Sequence, residues 1–258
     1  MWAHLVQKSA SVSRYHAGMV LRGLFHLVYP PACAHCHARI ASHHALCARC
    51  WGEIRLIERP YCLILGLPFA HDPGEGMVSP QAISKPPVFD RLRSVALHEG
   101  IARHLVHDLK YRDRVDLAPM MAGWMVRAAS EEVAAADAIV AVPLHRLRMF
   151  RRMFNQSAEL ARHVSRQSGR PFLAEALVRR KRTQQQVGLT ANQRSLNVRG
   201  AFSVPEGCED LVFGKRLVLI DDVYTTGATV GAAATALKKA GAADVTVLTF
   251  ARALAGPI

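Results

Sequence analysis

Hydrophobic and polar positions change period several times along the chain, and those changes divide it. Residues 17–29 are apolar with Arg22 and His26 interspersed, which predicts a short amphipathic helix stopped by Pro30 and Pro31. Residues 60–87 are rich in Pro and Gly and short of long apolar runs, so they predict a connecting segment or an irregular extension. Beyond them the pattern becomes α/β. Ile101, Leu105 and Leu109 recur at helical spacing ahead of the polar run 110–113, and a second helix is expected over 117–129. Residues 138–142 form a short β-branched apolar run closed by Pro143, which reads as a buried strand. Asn155 can cap a helix carrying Leu160, Ala161 and Val164 on one face, ended by Gly169 and Pro171. A second strand is expected over 217–220. It is followed by a helix with Val230, Ala233, Ala234 and Leu237 on one face and Gly241 at its end, and then by a third strand over 245–250. Strands alternating with helices imply a parallel sheet covered on both faces.

The chain has 258 residues, half of them hydrophobic. That is a globular composition, enough for one good-sized core with a small appendage or for two modest domains. The formal net charge of +13 favours polyanionic partners: phosphate-rich ligands, nucleic acid or an acidic surface. No stretch approaches the ~18 apolar residues of a membrane span. Residues 1–15 lack the pattern of a secretory signal, so the expectation is a cytoplasmic protein.

The densest chemistry lies at residues 217–229. A buried strand ends in Asp221 and Asp222. Val223, Tyr224, Thr225, Thr226, Gly227, Ala228 and Thr229 then form a tight turn that opens a helix. In open α/β sheets ligands bind beyond the carboxyl ends of the strands. The turn's N–H groups and the helix N-terminus suit a phosphate dianion. Thr225, Thr226 and Thr229 can add hydroxyl donors, and Gly227 lets the backbone come close. Two carboxylates would repel a phosphate that touched them. They make sense facing a sugar diol, or holding a metal through water. The physical reading is a ribose 5-phosphate site.

Six cysteines are present, four of them in two C-x-x-C pairs, Cys33/Cys36 and Cys47/Cys50, separated by ten residues. This grouping points to metal in a reducing compartment rather than to disulfides. Four thiolates suit structural Zn²⁺, although His35, His37, His43 and His44 lie close enough in sequence to compete as ligands. The alternative is reduced, metal-free cysteines.

The segment 217–229 closely resembles the 5-phosphoribosyl-1-pyrophosphate (PRPP) signature of type I phosphoribosyltransferases. The chain from about residue 20 to 252 resembles the competence protein F (ComF) family. The segments carrying that likeness are 140–161 with Phe154-Asn155-Gln156, 182–189, and 194–202 with Asn197-Val198-Arg199-Gly200. The resemblance implies a type I phosphoribosyltransferase-like α/β fold, a parallel sheet flanked by helices, with a small N-terminal zinc ribbon. It implies that Asp221 and Asp222 hold the ribose hydroxyls and that Tyr224 to Thr229 wrap the 5-phosphate. His145, Arg146, Arg148, Arg151 and Arg152 stand where that superfamily receives the pyrophosphate with Mg²⁺. Gln186 and Arg194 fall in a polar segment that is the candidate for a closing lid or, alternatively, is a solvated loop. Many relatives carry another C-x-x-C before Gly-x-Pro-Phe. Here the segment is Cys62-Leu63-Ile64-Leu65-Gly66-Leu67-Pro68-Phe69, with Leu65 in the second cysteine's place. Cys62 is expected to be a buried free thiol, and Cys208 incidental. The expected organisation is a leader and helix (1–29), a zinc ribbon and connecting segment (30–87) and a phosphoribosyltransferase-like domain (88–258).

Three functions fit. The first is Mg²⁺-dependent transfer of a phosphoribosyl group from PRPP to an unassigned acceptor, with no base or nucleophile identifiable. The second is a non-catalytic role in DNA uptake and natural transformation, handling single-stranded DNA or competence proteins. The third is a regulatory protein that senses PRPP. Basic residues at 146–152 and 179–182 can track a strand, but aromatic residues make up only 7% of the chain and form no stacking series among them.

Overall fold

A computed structural model describes residues 30–72, 74, 76–144, 154–181 and 191–254. The helix expected over 17–29 lies outside them. The chain divides into two compact units, Met1–Trp51 and Gly52–Ile258.

In the first unit the chain folds into a knuckle. An antiparallel bridge pairs Ala32 with Arg39. Cys33 N donates to Ala38 O (2.8 Å) and His37 N to Cys33 O (3.1 Å). The left-handed turn falls on His37, φ 60°. The chain then returns through Cys47 into a short helix, α1 (Ala48–Gly52), which carries the buried Cys50.

The second unit opens with another knuckle, Tyr61 bridged to Pro68, and continues as α2 (Pro80–Ser84), β1 (Arg91–Leu97), α3 (Gly100–Tyr111), α4 (Ala118–Ala128), α5 (Ser130–Ala135), β2 (Ala138–Ala141), α6 (Gln156–Ser168), β3 (Val178–Arg179), α7 (Ala191–Val198), β4 (Phe202–Ser203), β5 (Arg216–Tyr224), α8 (Ala228–Lys239) and β6 (Asp244–Arg252). Four strands form one wholly parallel sheet in the order β1-β6-β5-β2; β3 and β4 make a separate antiparallel pair. Because strand side chains alternate between faces, Leu217 and Leu219 of β5, with Val245 and Val247 of β6, pack against Val230, Ala233, Ala234 and Leu237 of α8. On β6, Phe250 stacks on Trp124 of α4, ring centroids 5.8 Å apart.

The helices and strands expected from residue 101 onward are present among the described residues, with two differences. β5 runs on to Tyr224, so the two acids belong to the strand itself. The sheet also has a strand the pattern did not mark, β1. Its arginines at 91 and 93 resemble an exposed segment, yet Arg93 is 5% exposed. Its Nε lies 2.7 Å from Glu132, its Nη1 donates to the carbonyls of Leu63 and Leu92, and its guanidinium lies over the Tyr61 ring. A cation paired with a carboxylate and bonded to carbonyls can sit in a core strand. Among the described residues no helix is long and apolar enough to cross a membrane.

Candidate functional site

Asp221 and Asp222 stand at the carboxyl end of β5, and the local topology opens the space beside them. β2 pairs with β5 only as far as Ala141↔Ile220, whereas β6 stays in register with β5 to Tyr224↔Arg252. From Asp221 onward β5 therefore has a strand on one side only. The crevice on the other side is bordered by the N-terminus of α6. Asn155 caps that helix: its Oδ1 accepts from Ser157 N (3.1 Å) and its Nδ2 donates to Val142 O (3.1 Å).

The two acids have different partners. Asp221 Oδ1 accepts from Ser157 Oγ (2.8 Å) and from Asp222 N (3.0 Å). Asp222, with its side chain 8% exposed, is held bidentately by Lys110 Nζ at 2.8 and 3.1 Å. Lys110 sits in the last turn of α3, and its carbonyl accepts from the buried Gln156 Nε2 (3.3 Å). Burial, then repulsion from Asp222, pushes the Asp221 carboxyl up to about 7, against the pull of Lys110 and Ser157. Burial alone would lower Lys110, but Asp222 holds it above the usual lysine range. His98, just past β1, is held low by burial and by Arg103 and Lys110. The cluster thus sets the Lys110 ammonium on Asp222 and places beside them a carboxyl, Asp221, that exchanges its proton near neutrality. Such a set can both accept from and donate to hydroxyls.

The turn after β5 follows the expectation for an anion cradle. Gly227 has φ 76°, and a Cβ there would lie 2.5 Å from the Tyr224 hydroxyl, so glycine is required on both counts. α8 starts at Ala228 with no side-chain cap, which leaves its first N–H groups for a ligand. Thr225 and Thr226 are exposed and Thr229 is partly buried. Tyr224 is wedged between the Arg252 guanidinium (5.2 Å) and the edge of Phe89 (6.3 Å). Burial raises its hydroxyl pKa.

The structure brings residues 221–229 together with Lys110, Ser157, Asn155 and His98, which sequence reasoning did not assign to the site. The signal for Lys110 was present as the first cation after the apolar helix face, but nothing local ties it to Asp222. His145, Arg146, Arg148, Arg151, Arg152 and Gln186 lie outside the described residues. Arg194 falls within α7.

The thiols of Cys33, Cys36, Cys47 and Cys50 lie within 4.8 Å of one another, and Cys36 and Cys47 sulfurs are 3.6 Å apart. Tetrahedral zinc with Zn–S bonds of about 2.3 Å requires sulfurs about 3.8 Å apart, so this set fits the ion. Cys47 N donates to Cys33 Sγ (3.3 Å). Burial opposes ionisation of Cys33, but such backbone donors bring its thiol down to about 6, while burial and the neighbouring thiols push Cys50 up; it is the four-sulfur geometry that fits zinc. None of the four nearby histidines belongs to the cluster. Four thiolates leave no open coordination position, so the metal is structural. Cys62 is fully buried and free.

Comparison with known proteins gives three results. Residues 24–82 match the family model of a double zinc ribbon domain. The chain is 33% identical over 234 residues to the DNA utilization protein YhgH of Salmonella typhimurium, covering 88% of this chain and 100% of that protein. It is 32% identical to the same protein of Escherichia coli K12 over the same shares. It is 26% identical over 227 residues to competence protein F of Haemophilus influenzae, covering 86% of this chain and 96% of that protein. Among solved structures, a glutamine PRPP amidotransferase of B. subtilis with ADP and GMP aligns over 55% of this chain and 30% of its own, at TM-score 0.37 and 24% identity.

Proposed function

The chain belongs to the family of DNA utilization protein YhgH and competence protein F, and from that membership we propose that its sheet-edge site binds PRPP or a related ribose 5-phosphate together with Mg²⁺. The observation that carries this reading is the pair Asp221–Asp222 at the one-sided end of β5, followed directly by the Gly227 turn and the uncapped start of α8. The acids accept from the sugar diol, and the turn and helix N-terminus take the 5-phosphate. Lys110 offsets the charge of Asp222, so a ligand carrying several negative charges does not meet two bare carboxylates. Mg²⁺, when bound, neutralises the pyrophosphate. The candidate residues for that end of the ligand are His145, Arg146, Arg148, Arg151 and Arg152, with Gln186 and Arg194 on the closing segment. If a group is transferred, pyrophosphate leaves the anomeric carbon and an acceptor nucleophile takes its place. The protein's part is then positioning and exclusion of water.

A second reading is favoured by the names of the relatives and by the +13 charge: a non-catalytic protein handling single-stranded DNA or competence proteins, with the ligand acting as a regulator. We place the protein in the cytoplasm, where free thiolates persist for zinc.

The test is titration calorimetry with PRPP, with and without Mg²⁺, on the wild type and on Asp221→Asn/Asp222→Asn. Mg²⁺-enhanced binding that the double substitution removes supports the site. No binding by the folded, zinc-loaded wild type overturns it and moves the DNA reading forward. That second reading requires single-stranded DNA affinity that falls steeply with salt.

A further inference from the structure

The double zinc ribbon model spans residues 24–82, which implies two metal sites. The first knuckle fits one. The second repeats the first in its backbone. Cys62 N donates to Leu67 O (2.8 Å), as Cys33 N does to Ala38 O, and Gly66 N donates to Cys62 O (2.7 Å), as His37 N does to Cys33 O. Gly66, at φ 56°, takes the place of His37 at φ 60°. The ligands have not followed the backbone. Leu65 occupies the second thiolate's position, is 4% exposed, and joins the core beside Phe89 and Leu92. Among the described residues the four cysteines of the first knuckle form the sole group able to hold a metal.

What holds the second knuckle is the sheet. Its three successive carbonyls are each taken by a donor from a sheet strand. Leu63 O accepts from Arg93 Nη1 (2.9 Å), Ile64 O from Leu92 N (2.8 Å), and Leu65 O from Arg252 Nη1. The sulfur of Cys62 accepts from Leu65 N (3.4 Å) and Ser79 N (3.2 Å). The docking is so close that a Cβ on Gly66 would lie 2.5 Å from Leu92 O. Arg252, 3% exposed, reaches from the end of β6 to the residue that replaces the missing thiolate. Its other face lies over Tyr224 at the mouth of the phosphate turn.

We infer that this chain holds one zinc, and that its second knuckle is a metal-free bracket fixed by the sheet, with the Arg252 guanidinium as the cross-link between the knuckle and the end of β5. The bracket thereby positions Tyr224. That last link alone rests on the ribose-phosphate reading, and none of the measurements below involves PRPP.

Zinc is quantified by elemental mass spectrometry on full-length protein, reconstituted with excess Zn²⁺ and desalted. One zinc per chain is expected for the wild type, for Cys62→Ala and for Arg252→Met, and none for Cys36→Ser/Cys47→Ser. Arg252→Met is expected to lower the thermal midpoint by roughly 5–10 °C, with its zinc unchanged. Two zincs in the wild type, or a loss of zinc in Cys62→Ala, overturns the stoichiometry. An unchanged midpoint for Arg252→Met overturns the cross-link. Should Arg252→Met fail to fold, Gly66→Ala tests the same docking: it is expected to lower the midpoint without changing zinc, and an unchanged midpoint there overturns the bracket.

Discussion

Replacing Asp221 by Asn is expected to stabilise the ligand-free protein. Asp221 is raised from its ordinary 3.8 to about 7 by burial and by Asp222. A carboxyl whose pKa is raised on folding binds its proton more tightly in the native state. Its favourable contribution is complete below pH 3.8 and is lost as pH rises through 7. At about 1.4 kcal/mol per pH unit, that displacement corresponds to about 4 kcal/mol at pH 8. Asp221 keeps some solvent exposure, so the expected figure is about 2–4 kcal/mol. Asn keeps the shape and an oxygen that can accept from Ser157 Oγ and Asp222 N, and it never ionises. Urea unfolding of wild type and variant between pH 5 and 8.5, both zinc-loaded, gives the difference directly. Because the window opens at pH 3.8 and closes near 7, roughly 40% of it should already be present at pH 5 and about nine-tenths by pH 7, with a plateau above. A difference that is flat with pH, or a variant less stable at pH 8, would refute the reasoning. The same variant should bind PRPP at least tenfold more weakly. The cost of holding a second carboxylate here would then be read as a cost of function.

Three further outcomes are expected. Lys110→Met leaves Asp222 buried without its cation; since Lys110 is 30% exposed, the loss should be about 1–3 kcal/mol in thermal unfolding at pH 8, with Lys110→Arg recovering part of it. Gly227→Ala places a Cβ 2.5 Å from the Tyr224 hydroxyl at φ 76°, so it should cost about 1–3 kcal/mol and weaken phosphate-ligand binding in calorimetry more than tenfold. Glu132→Gln strips the charge from the partner of Arg93, side chains 11% and 6% exposed. It should cost about 2–4 kcal/mol by urea unfolding.

What the sequence made legible was local. The run 217–229 could be read because strand, acids, turn and helix start are contiguous. Helices α3, α4, α6 and α8 could be read because their apolar stripes keep one period. The cysteine pairs could be read because ligand spacing is itself a local signal. Lys110 could not be joined to Asp222, since the pair is separated by 112 positions and only the packing of α3 beside the end of β5 unites them. β1 was hidden because a buried arginine has the same letter as an exposed one. Composition made residues 60–87 read as irregular because the regularity of the second knuckle lies in backbone hydrogen bonds; only the likeness of 62–69 to the relatives' further C-x-x-C marked its place.

The strand order β1-β6-β5-β2 has a consequence for how the chain comes together. β6 follows β1, β2 and β5 in sequence yet lies between β1 and β5, with Arg91 paired to Thr246 and Arg216 to Asp244. During synthesis β2 and β5 can pair as soon as both are made, while β1, bonded on one side to residues 55–57 and 64, waits for a strand on its other side until the stretch 244–252 has left the ribosome. Loop closure over that span is entropically costly and slow. The waiting interval exposes two apolar strand edges, which is the condition under which chaperones engage and truncated chains aggregate. A nascent chain arrested before β6 should therefore carry neither a closed sheet nor the Tyr224–Arg252 contact, and its main unit should become protease-resistant only once β6 has emerged.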